Sequence, residues 1–304
     1  MGHNPCMGRR VMLLDRRPGA RVLDDPDLGA ALEVCALDPV GSVLATARLE
    51  AARATRLRAA GGAVWGYEHG GRLVAVCWAG ANLVPVVPVE DPAVMAAALD
   101  AFATSAARQG RRCSSLVGAA PAVLGLWDRL RSVWPGVREV RHDQPSMVID
   151  HAPARVADPA VRRSHLAELD AVLPACIAMF TEEVGYSPAS GPRGPYETRV
   201  RTLVEQGRSF VRMDPGPDGA PSVTFKAELG AVAGGVAQVQ GVWVRPDRRG
   251  ERLSEHGMAA VVELARASVA PVVSLYVNDY NARALAAYRA VGFRQVGSYA
   301  TVLF

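Results

Sequence analysis

The stretch VQGVWVRPDRRGERLS, Val239 to Ser254, constrains the fold more than any other part of this sequence. A strand-like apolar run ends at Val244, Pro246 breaks it, an arginine-rich turn follows, and a helical pattern then begins. That order aims turn amides and the positive end of a helix at one spot, which suits a phosphate or pyrophosphate. The flanking sequence extends the pattern both ways. Upstream, 164–184 reads as a helix with Leu166, Leu169, Leu173 and Ile177 at helical spacing, interrupted at Pro174. A Pro/Gly-rich loop (Ser187–Pro195) and a short helix ending at Gly207 follow. Strands are expected at Phe210–Met213, Val223–Leu229 and Val236–Val244, the first two joined by a turn at Pro215–Gly219. Downstream come a helix near 254–268, a strand at Val272–Val277, a helix at 282–290 and a strand at Ser298–Phe304. Helices, an antiparallel meander and an alternating finish imply an α+β (mixed α/β) fold around a central sheet.

The 304 residues suit two domains of about 150. The segment DHAPARVADP, with Pro153 and Pro159, reads as the connector, so domains 1–150 and 151–304 are expected. The first half repeats the order of elements without repeating the sequence. Leu28–Leu37 looks helical, Ala63–Tyr67 and Leu73–Ala79 look like a hairpin around His69–Gly71, and Ala93–Arg108 looks like a helix. A strand near Ser114–Val117, a helix at Pro121–Arg131 and a strand near Ser146–Ile149 complete it, as in a degenerate second copy.

Composition excludes several function classes. Half of the residues are apolar, enough for a core in each half. No apolar run approaches the ~20 residues of a membrane span, and Val11–Leu14 after Arg9 and Arg10 is too short for a secretory segment. A cytoplasmic, non-membrane protein is expected. The net charge is only +4 and the arginines are dispersed among acids, so no nucleic acid is expected as partner. The cysteines Cys6, Cys35, Cys77, Cys113 and Cys176 form no CxxC pair and the histidines no HExxH, which implies reduced thiols and no metal site. Of the 34 basic residues only Lys226 is a lysine.

The run VVSLYVNDYNARALAAYRAVGF (Val272–Phe293) contains N-x-x-A-x-x-x-Y-x-x-x-G-F, formed by Asn281, Ala284, Tyr288, Gly292 and Phe293. Before it stands V-x-P-x-x-R-G, formed by Val244, Pro246, Arg249 and Gly250. Together, over roughly residues 236–304, these resemble the acyl-CoA-binding and catalytic half of the GNAT superfamily of N-acetyltransferases. With MFTEEVGYSP and FKAELG, the wider chain resembles two-domain acetyltransferases of high-GC bacteria whose N-terminal domain is poorly characterised. The resemblance implies tandem GNAT-like domains, each a central, mostly antiparallel sheet flanked by helices, with the N-terminal copy degenerate. It implies acetyl-CoA as cosubstrate and an amine acceptor as partner. The acetyl group would move to a primary amine by direct attack through a tetrahedral intermediate. A homo-oligomer stays open, as does the alternative of a non-enzymatic acyl-CoA sensor or interaction module.

The resemblance also distributes roles. Val242, Trp243 and Val244 would line the strand edge that takes the pantetheine and thioester, and Arg249, Gly250, Glu251, Arg252, Leu253 and Ser254 would form the pyrophosphate loop. Asn281 would belong to the same cofactor site, and Tyr288 would be the general acid for the departing thiolate. The loop departs from the usual Q/R-x-x-G-x-G/A pattern. Arg252 replaces a glycine, which costs about 1 kcal/mol if φ is positive there. Glu251 opposes an anion, and Ser254 is expected as the N-cap of the next helix. Where the family often has a glutamate base, this chain has Gln238 and Gln240; Gln240 would hold a relay water. Glu228, sharing a strand face with Lys226, is the carboxylate candidate for the base. Glu182, Glu183 and Tyr186 are the acceptor candidates, because carboxylates at a helix C-terminus are unfavourable unless something such as an amine offsets them. With no phosphate loop in Ala79–Val89, the first domain is not expected to bind CoA productively.

Overall fold

The computed structural model describes residues 19–188, 194–216 and 219–304. They form two compact units: one runs to Pro145 and includes Gly297–Phe304, and the other is Ser146–Val296. This division departs from 1–150 and 151–304, because the strand closing each sheet comes from beyond the expected boundary.

In the first unit the order is β1 (Arg21–Val22), α1 (Leu28–Ala36), α2 (Pro39–Thr55), β2 (Ala63–His69), β3 (Arg72–Ala79), β4 (Asn82–Val86), α3 (Pro92–Gln109), β5 (Ser115–Ala119), α4 (Ala120–Leu130) and the start of β6 (Glu139–Ile149), whose residues from Ser146 on belong to the second unit. Strands β1 to β4 pair antiparallel in sequence order, while β5 lies parallel to β4 across α3. Phe102 of α3 and Val123, Leu126 and Leu130 of α4 bury completely against Leu116 of β5.

Two of these elements have weak sequence signals. Helix α2 buries Ser42, Ala45, Thr46 and Ala52 beside Val43 and Leu49, so its inner face is largely small or polar and gives little apolar period. Its start is secured by Asp38, whose carboxylate accepts from Gly41 N at 2.8 Å, and by Pro39 in the first turn. Strand β4 carries Pro85, which argues against a central strand. The parallel pairing of β4 with β5 covers only Asn82 and Leu83, so Pro85 falls where β4 has left that neighbour and its missing amide breaks no ladder there.

The second unit runs β7 (Arg162–Arg163), α5 (Leu169–Val184), α6 (Gly194–Glu205), β8 (Ser209–Pro215), β9 (Pro221–Ala233), β10 (Val236–Val244), α7 (Leu253–Ser268), β11 (Val272–Tyr276), α8 (Ala282–Val291) and the start of β12 (Arg294–Leu303), whose residues from Gly297 on belong to the first unit. The antiparallel order β7-β8-β9-β10 is followed by β11, parallel to β10 across α7. This is the same succession as in the first unit, so the chain is a tandem of two mixed α/β units. Ser146–Ile149 of β6 pairs with β11 and closes the second sheet, and Tyr299–Leu303 of β12 pairs with β5 and closes the first.

The expected interruption at Pro174 does not occur. Helix α5 continues through it, its inner face (Val172, Ala175, Cys176, Met179) buried against Val211 and Trp243, so packing outweighs the lost amide. Part of the expected loop at 187–195 and of the turn at 215–219 lies outside the described residues. On the opposite sheet face, α7 and α8 cover Phe225, Ala227 and Leu229 with Met258, Val262 and Tyr288.

Candidate active site

The parallel pairing of β10 with β11 spans only Val236↔Val272, Ala237↔Val273 and Gln238↔Ser274. Beyond Gln238 the two strands part, which leaves the β10 edge from Val239 to Val244 unpaired on that side. On its other side β10 stays paired to β9, but the register jumps between Gln240↔Glu228 and Trp243↔Lys226. Gly241 and Val242 therefore oppose the single residue Ala227, and Gly241 takes φ +57°. That is a β-bulge led by a glycine in the left-handed region.

The loop after β10 ends at the start of α7. Arg252 is the N-cap of that helix with φ +57°, and Gly250 has φ +93°. Position 252 is thus the one where a glycine would be unstrained, as expected of the family pattern. The expected capping role of Ser254 is not observed: it lies inside the first turn, and the N-cap makes no side-chain bond. No described protein group accepts from the amides of Gly250 to Ser254, and the first backbone bond is Glu255 N to Arg252 O at 3.0 Å. Open amides at a helix N-terminus form a seat for an anion. Glu251 does not face this seat as a bare charge, because Arg248 grips both of its oxygens at 2.7 Å. Arg249 donates from Nε to Val244 O at 3.1 Å and from Nη2 to Glu182 at 2.7 Å.

Beside the bulge lies a buried ionic cluster. Lys226 is 0% exposed and Glu228 4%. The Lys226 ammonium donates to Gly241 O at 2.9 Å and to Glu228 Oε2 at 3.3 Å. Arg199 of α6 donates to Glu228 Oε1 at 2.9 Å, so both carboxylate oxygens are engaged. Burial acts most strongly against the charge on Lys226, but Glu228 and Cys176 together outweigh it, and the ammonium is held above the ordinary lysine range. Strand alternation indicates the pairing of Lys226 with Glu228. Arg199 carries no motif, and its role emerges only when α6 is laid against β9. Gln240 sits opposite Glu228, and its amide donates to Gln238 Oε1 at 3.1 Å.

The acceptor candidates are placed differently from one another. Glu182 accepts from Trp243 Nε1 at 3.0 Å as well as from Arg249, so its carboxylate braces the loop. Glu183 lies close enough to Tyr288 to act on it: burial first, and the Glu183 charge second, push the Tyr288 phenol well above its usual pKa. Tyr186 is half exposed and stacks edge-on with Phe180, which in turn meets Tyr196, each at 5.4 Å between ring centres. Asn281 caps α8, its carbonyl accepting from Ala284 N at 3.1 Å. The structure thus gathers Val242–Val244, Arg249–Ser254 and Glu182 around one loop, and Tyr288 with Glu183 nearby. Asn281 is seen holding a helix end.

The first unit offers a contrast at the matching place. Its parallel pair β4–β5 is also bridged by a helix, but α3 is capped by Asp91, which accepts from Ala93 N at 2.8 Å, and Pro92 in its first turn has no amide. A capping carboxylate beside a missing donor leaves a poor seat for an anion.

Residues 209–293 match the model of the acetyltransferase (GNAT) family, and residues 62–172 match a family described as a domain of unknown function (DUF4081). No curated protein matches the sequence. Among solved structures, a Drosophila protein aligns with TM-score 0.59 at 16% identity, over 95% of this chain and 99% of that one. A tandem GNAT protein from the clavulanic acid biosynthesis pathway aligns with TM-score 0.51 at 13% identity, over 92% and 97%. A GCN5-related glucosamine N-acetyltransferase region of a fungal multi-domain GH3 β-N-acetylglucosaminidase aligns with TM-score 0.52 at 13% identity, over 95% of this chain and 38% of that one. At these identities the likeness is one of fold.

Proposed function

With a GNAT-family acetyltransferase domain in its C-terminal half, the chain has a fold that supports acyl transfer, and we propose that it moves an acetyl group from acetyl-CoA to a primary amine. The observation that carries this reading is the open start of α7, fed by an arginine-rich loop, next to the unpaired edge of β10. The CoA pyrophosphate would take the amides of Gly250 to Ser254, with the Arg252 guanidinium beside them. The pantetheine would add hydrogen bonds along Val242, Trp243 and Val244, as an extended ligand adds to a free strand edge. Acetyl-CoA supplies a thioester that an amine attacks directly, giving a tetrahedral intermediate whose oxyanion needs a backbone donor.

Tyr288 is the proton source for the departing thiolate. Its raised pKa keeps the phenol protonated throughout the neutral and mildly alkaline range, so it remains a donor wherever the amine is free to attack. Gln240, opposite Glu228, would hold the water that carries away the amine proton, with Glu228 as the carboxylate behind it. Glu183 and Tyr186 would meet the acceptor amine, while Glu182 keeps Arg249 in place. A second reading, an acyl-CoA sensor without turnover, is favoured by one observation: both oxygens of Glu228 are engaged by cations.

Turnover by the unaltered protein decides between them, and the Tyr288→Phe variant tests the acid. As an enzyme, the protein releases CoA thiol in the presence of a primary amine. The variant should then lose about 10²-fold in kcat while acetyl-CoA binding stays within threefold. Unchanged turnover in the variant removes Tyr288 as the acid. Binding with no turnover in the unaltered protein leaves the sensor.

A further inference from the structure

Lys226 has a feature that its ion pair does not explain. Its nearest hydrogen-bond partner is the carbonyl of Gly241 at 2.9 Å, closer than Glu228 at 3.3 Å. That carbonyl belongs to the peptide whose amide is Val242 N–H. A trans peptide is planar, so C=O and N–H point in opposite directions, and the described residues contain no cis bond. Fixing Gly241 O on the Lys226 side therefore turns Val242 N–H away from it. This amide stands outside the β9 register, on the strand segment that β11 no longer covers. Donation from an ammonium to the carbonyl also polarises the peptide and makes its N–H a stronger donor.

The surroundings hold this arrangement from every side. Glu228 on β9 and Arg199 on α6 set the charge balance, and the Cys176 thiol of α5 lies beside the ammonium. A side chain at Gly241 would place its Cβ 2.9 Å from Met179 Cε and 3.1 Å from Lys226 Nζ. The bulge is thus packed closely against the lysine, and its φ of +57° favours glycine.

Resting on the acyl-transfer reading above, we infer that Lys226 is a positioning residue: it orients and polarises the Gly241–Val242 peptide so that Val242 N–H meets the thioester carbonyl and its oxyanion. Glu228 then serves first as the counter-charge that keeps the ammonium in place. The lysine acts through the peptide and touches no substrate.

The test compares the unaltered chain with Lys226→Met, which keeps the apolar stem and removes the donor, and Lys226→Gln, which retains a neutral one. Two quantities are read in the full-length protein: the Val242 amide proton shift in ¹⁵N-labelled samples, and kcat with the acetyl-CoA dissociation constant. The inference predicts that Lys226→Met moves the Val242 amide proton upfield and lowers kcat at least tenfold, with acetyl-CoA affinity within threefold. Lys226→Gln should recover part of both. A Val242 resonance and a kcat that both stay at the unaltered values in Lys226→Met overturn it. If Lys226→Met does not fold, Lys226→Gln carries the same comparison, and unaltered values there are equally fatal. If the unaltered protein turns over no amine, the transfer reading fails, while the amide shift still decides whether Lys226 sets this peptide.

Discussion

Arg252 holds φ +57° at the start of α7, a conformation that costs a non-glycine residue about 1 kcal/mol. Relief of this strain gives a simple expectation. Arg252→Gly should raise the midpoint of thermal unfolding by roughly 2–4 °C, the shift for about 1 kcal/mol in a protein of this size class. If the guanidinium also contacts phosphate, the same variant should weaken acetyl-CoA binding, so stability and affinity move in opposite directions. Gly241 is the reverse case. Its φ is also +57°, but here an added Cβ meets Met179, Lys226 and Glu228 within 3.2 Å. Gly241→Ala should cost about 1 kcal/mol in chemical denaturation from backbone strain, with the close contacts adding to it. A cost below a few tenths would mean that the bulge is free to shift.

At the scale of elements, the entry to α5 shows how a pH dependence arises. Glu168 accepts from Arg162 at 2.9 Å and from the His165 amide at 2.9 Å, and the Arg162 bond, against some cost of burial, holds its carboxyl down to about 2. A carboxyl with a folded pKa below its unfolded value adds stability above the unfolded value, about 4.5, and loses it as pH falls towards the folded one. Urea midpoints should therefore drop between about pH 4.5 and 2, and Glu168→Gln should flatten that part of the profile. The elements themselves were unequally legible in sequence. The β10–turn–α7 segment and the closing strand–helix pair follow from apolar period and from Pro246, because each buries one clear face. Helix α2 and strand β4 do not, since the first buries small residues and the second hides a proline where a ladder ends. In the site, alternation revealed Lys226 beside Glu228, and the motif gave the loop and Tyr288. Arg199, the bracing role of Glu182 and the Gly241 contact depend on packing between distant elements, which no local spacing encodes.

The molecule as a whole is a tandem in which the same succession of elements has two different loop chemistries. In the second unit α7 begins with open amides and Arg252; in the first, α3 begins with Asp91 and Pro92. Only the former suits a pyrophosphate. The described residues contain no helix long and apolar enough to cross a membrane. The most direct test is a calorimetric titration of the full-length protein with acetyl-CoA. One site per chain, abolished or strongly weakened by Gly250→Pro in the loop and unaffected by Asp91→Asn, is the predicted result. Two equivalent sites per chain, or no heat of binding at millimolar ligand, would contradict it.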